Sequence, residues 1–213
     1  MGQKVNPISF RLPAHKNWDS RWFASKKDFA KFLVEDDKIR NHIEKRFSSR
    51  PTIDRIEIER TESLITVTIH TAKAGIVIGR GGAGVQELKT QLEKMVSLPV
   101  RINIEEVRRP EMSAKLVAEN IAHQLERRIN FRRAVKMALQ NTMNSGAKGI
   151  RVEVAGRLNG AEMSRREKFI EGSVPLHTLR ADVDFHVARA LGPNGTGIIG
   201  VKVWVYKGER SAR

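Results

Sequence analysis

The chain has 213 residues and a formal net charge of +15, from 39 Lys and Arg residues against 24 Asp and Glu residues. This length suits one large domain or two small ones, and a hydrophobic content of 40% is enough for a core. So large an excess of one sign favours a polyanionic partner, such as nucleic acid or an anionic membrane surface. The absence of cysteine excludes disulfides, Cys-ligated zinc, iron–sulfur clusters and a cysteine nucleophile.

The N-terminal region has an irregular pattern in which basic and aromatic side chains alternate. For residues 1–37 we expect an arm that packs its aromatic side chains on the body of the protein or touches RNA. The first residues lack the apolar segment of a secretory signal, and no stretch of the sequence approaches the roughly 20 apolar residues of a membrane span. The charge is uneven, because residues 108–213 carry net +10 and residues 1–107 net +5.

A compact unit is predicted over residues 38–107. Ile39 and Ile43 recur at the spacing of one helix face, and residues 56–58 and 65–69 alternate apolar with polar side chains as half-buried strands do. A glycine-rich stretch, another amphipathic helix and a third alternating segment follow. The predicted order is helix, strand, strand, glycine loop, helix, strand.

The glycine-rich stretch allows two interpretations. Gly79, Gly81 and Gly84 spell G-x-G-x-x-G after the apolar residues 76–78, and Glu105 follows 21 residues after the last glycine. This spacing resembles a dinucleotide-binding fingerprint and would indicate a nucleotide-dependent enzyme. The context weakens that alternative, because two antiparallel-looking strands precede the glycines and no further alternation of strands and helices follows.

The second interpretation is an RNA-binding loop. The letters I-G-R-G-G at residues 78–82 resemble the I-G-x-x-G loop of the KH domain, a small RNA-binding module, and the order of elements matches its type II version. Gly79, Arg80, Gly81 and Gly82 would then lie against a sugar–phosphate chain, because glycine lets the backbone approach closely. Amide groups at the start of the next helix favour negative charge. About four nucleotides would lie beside the sheet.

The apolar pattern of residues 108–213 predicts a second α+β domain, in which two helices precede a mostly antiparallel sheet. Asn130 is a plausible cap of the second helix. Three segments that alternate apolar with polar residues predict strands with one wet face, at residues 150–154, 179–187 and 201–205. The fold class is therefore α+β throughout.

The second predicted helix carries a basic cluster. Arg127, Arg128, Arg132, Arg133 and Lys136 fall within ten residues. At about 100° per residue, the last three lie within one 100° arc, turned away from the apolar stripe. No acidic residue stands at i±4 to neutralise this face. Unpaired arginines are what phosphate binding needs, so the cluster favours RNA contact over a merely solvated surface.

No catalytic constellation is found, so we expect neither enzymatic activity nor a cofactor. Asp182, Asp184 and His186 share one strand face, but a metal site would need further ligands. We interpret them as the wet face of a strand and expect no metal.

Eight segments together resemble the family of bacterial-type small-subunit ribosomal protein three, and the resemblance covers essentially the whole chain. They are MGQKVNP (1–7), LVAENIA (116–122), FRR (131–133), GAKG (146–149), GRL (156–158), GAE (160–162), VPLHTLRAD (174–182) and GVKVW (200–204). Two departures matter: residues 189–197 do not match the family's usual link between its last strands, and Asn159 replaces a common glycine.

The resemblance implies a cytoplasmic, non-enzymatic structural component of the small ribosomal subunit. It would bind 16S-type ribosomal RNA in the head, beside small-subunit proteins ten and fourteen, with proteins four and five near the messenger entrance. Arg132, Arg133 and Lys136 match the family's entrance cluster, which grips messenger RNA and helps keep it unpaired. We further predict RNA contacts at glycine and basic residues elsewhere: Gly2, Lys4, Arg127, Arg128, Lys148, Arg157, Arg165 and Arg166.

A third hypothesis is a free KH-type protein that regulates messenger RNA. The long, uninterrupted C-terminal domain favours the ribosome over this alternative, because such regulators tend to repeat the KH unit.

Overall fold

The computed structural model describes residues 4–12, 14–48, 52–96, 98–192 and 197–210. The chain forms two compact units. One contains the described residues up to Asn17 together with those from Arg109 onward, and the other contains Trp18–Arg108. The predicted arm of residues 1–37 is therefore shared between the two units and does not form a segment of its own.

After a short strand at Ser20–Arg21 that the sequence did not indicate, the unit of Trp18–Arg108 has the order helix, strand, strand, helix, glycine loop, helix and strand, which confirms the type II KH fold. Its sheet has the strand order β1-β2-β3-β4, with β2 antiparallel to β3 and β3 parallel to β4. The elements are β1 (Ser20–Arg21), α2 (Phe29–Phe47), β2 (Ile53–Arg60), β3 (Ile65–Thr71), α3 (Ala74–Ile78), α4 (Ala83–Met95) and β4 (Val100–Glu106).

Strict alternation explains the central strand of this unit. Every second residue of β3, from Ile65 through Val67 and Ile69, is buried against Leu88 and Leu92 of α4 within one hydrophobic cluster. Burial of one such side chain contributes about 1.5–3 kcal/mol. One face of the sheet is therefore covered by helices, and α4 is held in place directly after the glycine loop.

Helix α2 begins at Phe29, eight residues before the predicted start at Asp37. Charged side chains that look solvent-exposed in the sequence are buried here, because Arg60 of β2 donates to Glu35 at 2.7 Å and also pairs with Asp36. Trp22 donates its indole N–H to Asp36 at 2.8 Å. These tertiary contacts stabilise the N-terminal part of α2, which the apolar spacing alone does not indicate.

The other unit has two helices packed on a four-stranded antiparallel sheet, as predicted, with the strand order β6-β5-β8-β7. Strand β6 is the one that we did not predict; only Phe169 among its apolar side chains packs against the core, so the segment has no apolar alternation. The elements are α5 (Ala114–Glu126), α6 (Phe131–Asn144), β5 (Gly149–Gly156), β6 (Arg165–Gly172), β7 (Ala181–Leu191) and β8 (Ile198–Glu209).

The N-terminal helix α1 (Pro7–Arg11) is attached to this second unit by one buried arginine. The guanidinium of Arg11 is fully buried and donates to the carbonyl of Ala181 at 2.6 Å and to that of Pro7 at 3.0 Å. It also reaches three carbonyls of the turn before β7, at Pro175, Leu176 and Thr178. Five backbone acceptors around one planar donor fix the position of α1.

The interpretation of Asp182 and Asp184 as a wet strand face is wrong. Asp182 is 3% exposed, and its carboxylate lies 3.0 Å from Lys16 Nζ and 2.9 Å from Arg210 Nε. Asp184 accepts from the backbone N–H of Ala114 at 3.1 Å and so caps the start of α5. The pairing of β7 with β8 shifts its register between Asp182 and Val183.

Within the described residues, no group of three or more His, Cys, Asp or Glu side chains could hold a metal ion. None of the described helices is both long and apolar enough to cross a bilayer.

Substitution of Arg11 tests the attachment of α1. Arg11→Ala leaves five carbonyls without their donor, so we expect a loss of about 3 kcal/mol in the free energy of unfolding of this unit. Arg11→Lys keeps the charge but has no planar fork, and we expect it to lose at least half as much. Hydrogen exchange of the peptides that cover residues 4–12 and 174–181 measures the effect. Wild-type protection in Arg11→Lys would show that charge alone holds the helix.

We expect His15 to make the stability of the same unit depend on pH. Burial, together with Lys16 and Arg210, lowers the pKa of His15 below its ordinary value of 6.5, although Asp182 opposes the shift. The unfolded chain therefore binds a proton first, and stability falls as the pH drops below about 6.5. We expect the urea midpoint of the wild type to fall more between pH 7.5 and 5.5 than that of His15→Gln. Parallel curves for the two proteins would contradict this role.

Candidate nucleic-acid interface

The glycine loop joins α3 to α4 and contains three residues in left-handed backbone conformations. Gly79 has φ 72° and ψ −178°, Gly81 has φ 61°, and Gly82 has φ 82° directly before α4. Residues with a side chain rarely adopt such angles. A β-carbon at Gly81 or Gly82 would meet nothing within 4 Å, so the backbone of this part of the loop is open to an approaching ligand.

Two other positions in the loop need glycine for internal packing. A β-carbon at Gly84 would lie 2.9 Å from the carbonyl oxygen of Val77, and one at Gly79 would lie 3.0 Å from the backbone nitrogen of Gly84. Helix α3 therefore ends in direct backbone contact with the start of α4. The pattern divides into Gly79 and Gly84, which let the two helices meet, and Gly81 and Gly82, which form the exposed turn.

This geometry contradicts the dinucleotide-binding alternative. The fingerprint requires a strand before the glycines, but Ile76–Ile78 belong to α3. Glu105 lies on β4 with its carboxylate 3.4 Å from Nδ1 of His70. The segment is a helix–loop–helix junction, as the KH interpretation predicts. Arg80 projects from it, is exposed, and forms no ion pair with a described residue.

Helix α6 presents the basic cluster that we predicted. The side chain of Asn130 accepts from the N–H of Arg132 at 3.0 Å, which confirms its capping role. Phe131, Val135 and Leu139 are buried. Arg132, Arg133 and Lys136 are exposed on the other side and border an open depression, which is lined by these three together with Asn130, Met137 and Gln140.

The inference that the arginines of this face are unpaired is wrong for Arg132, although no acidic residue stands at i±4 on the helix. Its guanidinium lies 3.2 Å from Glu167 of β6, and Arg165 of the same strand lies 3.3 Å from that carboxylate. Arg132 and Arg165 also lie 5.6 and 5.9 Å from the ring of Phe131. Arg133 and Lys136 have no described ionic partner. The partner of Arg132 was missed because it lies on the strand that the sequence did not indicate.

The turn between α5 and α6 holds Arg128 in a left-handed conformation with φ 63°. Its N–H donates to Leu125, and the next N–H, that of Ile129, reaches back to Gln124 at 3.1 Å. Such a helix end usually has glycine at this position, because a side chain there costs about 1–2 kcal/mol. Arg127 beside it is exposed. The turn thus places two arginines at the end of α5 despite the backbone cost.

The remaining predicted RNA contacts do not form one site. Lys4 lies 5.9 Å from the ring of Trp204, and Arg166 pairs with Glu153 at 3.0 Å. Lys148 is exposed, whereas Arg157 is half-buried and donates to the carbonyl of Ala161 at 2.9 Å. Gly2 lies outside the described residues. The structure therefore brings together Arg132, Arg133, Lys136 and Arg165, and places the others elsewhere.

Comparison with known families matches both units. Residues 38–112 match the model of the KH domain, and residues 121–205 match the model described as ribosomal protein S3, C-terminal domain. Relatives named small ribosomal subunit protein uS3 match nearly the whole chain. The relative from Shouchella clausii is 52% identical over 98% of this chain and 94% of its own length. Those from Desulforamulus reducens and Ruegeria pomeroyi are 55% and 54% identical over 98% of this chain, covering 93% and 88% of their own lengths.

Identity above 50% along nearly the full chain, together with two matching domains, leaves no room for the enzyme alternative. The exposed glycine turn and the basic face of α6 suit a protein that works by binding RNA. The chain belongs to the small ribosomal subunit protein uS3 family and is a non-enzymatic, structural constituent of the small ribosomal subunit with a KH RNA-binding domain.

Proposed function

We propose that the protein binds 16S-type ribosomal RNA in the head of the subunit and contacts messenger RNA at its entrance, where it helps to position and unwind the message. The observation that supports this role is the face of α6, where Arg133 and Lys136 are exposed beside Arg132 and have no described ionic partner. Cations without an acidic partner among the described residues are available to bind phosphates. By its family resemblance the protein works in the cytoplasm, beside small-subunit proteins ten and fourteen, with four and five near the entrance.

The α6 face suits a moving RNA strand. Its cations lie on one rigid helix, and the depression that they border is open to solvent. Charged contacts to phosphate carry no sequence preference, so a messenger of any sequence could pass. Arg132 is held by Glu167 and by the ring of Phe131, which fixes its guanidinium at the edge of the face. We assign gripping to Arg133 and Lys136, and to Arg132 after exchange of Glu167 for phosphate.

The KH loop would hold RNA in a different way. Gly81 and Gly82 offer open backbone before α4, and Arg80 supplies a mobile cation. The first amide groups of α4 lack helical acceptors and favour an anion. We propose that Gly79, Arg80, Gly81 and Gly82 form the site where a sugar–phosphate chain passes, with Gly79 shaping the loop rather than touching RNA.

The entrance role predicts a specific defect in Arg132→Ala/Arg133→Ala/Lys136→Ala. Small subunits should assemble normally, but elongation through a messenger hairpin should slow several-fold, while an unstructured messenger is translated at the wild-type rate. The salt slope of messenger binding should fall by up to about 0.7 per lost phosphate contact. Reconstituted translation on the two messengers measures this.

The matched control for that experiment is Lys38→Ala/Lys45→Ala/Lys94→Ala. These substitutions remove the same charge from exposed lysines of the other unit. None of the three lysines forms an ion pair with a described residue. Equal slowing by both variants would show a general charge effect, and unchanged passage through the hairpin in the α6 variant would refute the assignment.

The loop predicts opposite effects for two of its glycines. Gly79→Ala should lower the free energy of unfolding by about 2–3 kcal/mol, because its backbone angles exclude a β-carbon. Gly82→Asp should leave the KH unit folded, since aspartate tolerates a left-handed backbone and has room, but it should weaken RNA binding at least tenfold by repelling phosphate.

Gly82→Asn is the control, because asparagine tolerates the same backbone without the charge. Circular dichroism melting and the anisotropy of a labelled single-stranded RNA measure folding and binding on the full chain. If Gly82→Asp binds RNA like Gly82→Asn, no phosphate passes this turn; if it unfolds like Gly79→Ala, the turn is structural.

A further inference from the structure

The sheet of the C-terminal unit has a second face, to which neither of the two matched domain families assigns a role. Ile150, Val152 and Val154 of β5 point into the core shared with α5 and α6. The alternate residues Arg151 and Glu153 therefore point to the opposite side, which we call the outer face. One end of the outer face is covered, because the cluster of Ala181, Val183, Trp204 and Tyr206 packs with Val174, Leu176 and Phe185.

At the other end of the outer face, exposed cations stand in two rows across the strands. Their registers run from β6 through β5 and β8 to β7. The first row is Lys168, Glu153, Lys202 and Val187, and the second is Arg166, Ala155, Gly200 and Arg189. At about 4.8 Å between strands, the two arginines of the second row stand about 14 Å apart. The residues between them, Ala155 and Gly200, are small.

The single acidic residue of these rows does not neutralise the lysines. Both carboxylate oxygens of Glu153 are engaged, at 3.1 Å by Arg151 and at 3.0 Å by Arg166. Lys168, Lys202 and Arg189 are exposed and form no ion pair with a described residue. The outer face therefore retains a strong local excess of positive charge.

Lys4 lies close to these charges, although burial is the first cause of its pKa shift. Burial and then the nearby charge of Arg151 lower its pKa below the ordinary value, with Lys168 acting in the same direction and Glu153 against it. Crowded like charges destabilise the protein unless an anionic partner neutralises them. A protein that keeps them on a flat strand surface is built for such a partner.

The aromatic residues of this face indicate which feature of RNA it can recognise. Trp204 is 5% exposed, with Arg151 at 4.9 Å over its ring, and Phe185 packs against it with ring centroids 5.0 Å apart. Unstacked bases are held on exposed aromatic rings, whereas Trp204 is buried and Phe185 is half-buried against it. Duplex RNA is recognised mainly through shape, phosphates and hydroxyl groups, and that mode needs only the cations.

We propose that the outer face is a third RNA-binding surface, which holds the phosphate backbone of double-stranded RNA through Arg166, Lys168, Arg189 and Lys202. It is distinct from the face proposed for the entrance role, because it lies on the opposite side of the sheet from α6. Arg189 opens the segment that departs from the family pattern, so the family resemblance did not suggest this residue.

The test uses the full chain and the variant Lys168→Ala/Arg189→Ala/Lys202→Ala, which leaves the partners of Glu153 intact. The probe is a fluorescein-labelled RNA duplex of 20 base pairs and mixed sequence, followed by anisotropy at several salt concentrations. We expect at least tenfold weaker binding of the duplex. We also expect a salt slope reduced by about 2–3, from about 0.9 per lost phosphate contact. Binding of a single-stranded 20-mer should change little.

The control is again Lys38→Ala/Lys45→Ala/Lys94→Ala, which removes the same charge elsewhere and should keep most of the duplex affinity. Equal loss in both variants, or unchanged duplex binding in the first, would overturn the proposal. A variant that binds duplex normally but fails to enter small subunits would show that a protein occupies the face. If the triple variant melts at a lower temperature, Lys168→Gln/Lys202→Gln carries the test. The hairpin assay of the α6 variant is unaffected by any of these outcomes.

Discussion

Repulsion between like charges is the constraint to which this fold responds, because 39 basic side chains share the chain with 24 acidic ones. The buried acidic residues each lie beside a cation at a junction of elements. Asp36 holds Arg60 between α2 and β2, Asp182 holds Lys16 beside β7, and Glu153 holds Arg151 and Arg166 on the sheet. Carboxylates so placed neutralise part of the charge excess, whereas the buried Arg11 is satisfied by backbone carbonyls. On the exposed faces, several cations, such as Arg133, Lys136 and Lys202, have no acidic partner among the described residues, so RNA phosphates can serve as their counter-charge.

The proposed RNA-binding surfaces differ in the groups with which they would contact the RNA. The KH loop presents backbone rather than charge, with Gly81 and Gly82 open and a single arginine nearby. Helix α6 and the outer face present charge on rigid elements, one on a helix and one on a flat sheet. A backbone site depends on close fit and responds weakly to salt, whereas a site of unpaired cations responds strongly. One chain can therefore hold a fixed RNA fold and still let another strand slide.

Sequence patterns predicted the parts of the fold that depend on local periodicity. The alternation in β3, the capping Asn130 and the exposed arc of α6 follow from spacing alone, and the structure has all three. The predictions that were wrong concerned residues whose partners are distant in sequence. Asp182 looked like a solvated strand residue because Lys16 and Arg210, which surround it, are distant in sequence. Strand β6 was missed because its polar side chains carry no alternation, and with it the Glu167 partner of Arg132. The four loop glycines were recognised as a group, but only the geometry separates packing from exposure.

The buried position of Arg11 has a consequence for the order in which the protein folds during its synthesis. Its closest acceptor, the carbonyl of Ala181, lies 170 residues further along the chain. At about 5–20 residues per second, a ribosome needs about 10–30 s to synthesise that interval, and α1 has no docking site until β7 emerges. By then the KH unit, which ends at Arg108, has all of its own strands. Docking of α1 is therefore a late step of folding that joins distant parts of the nascent chain.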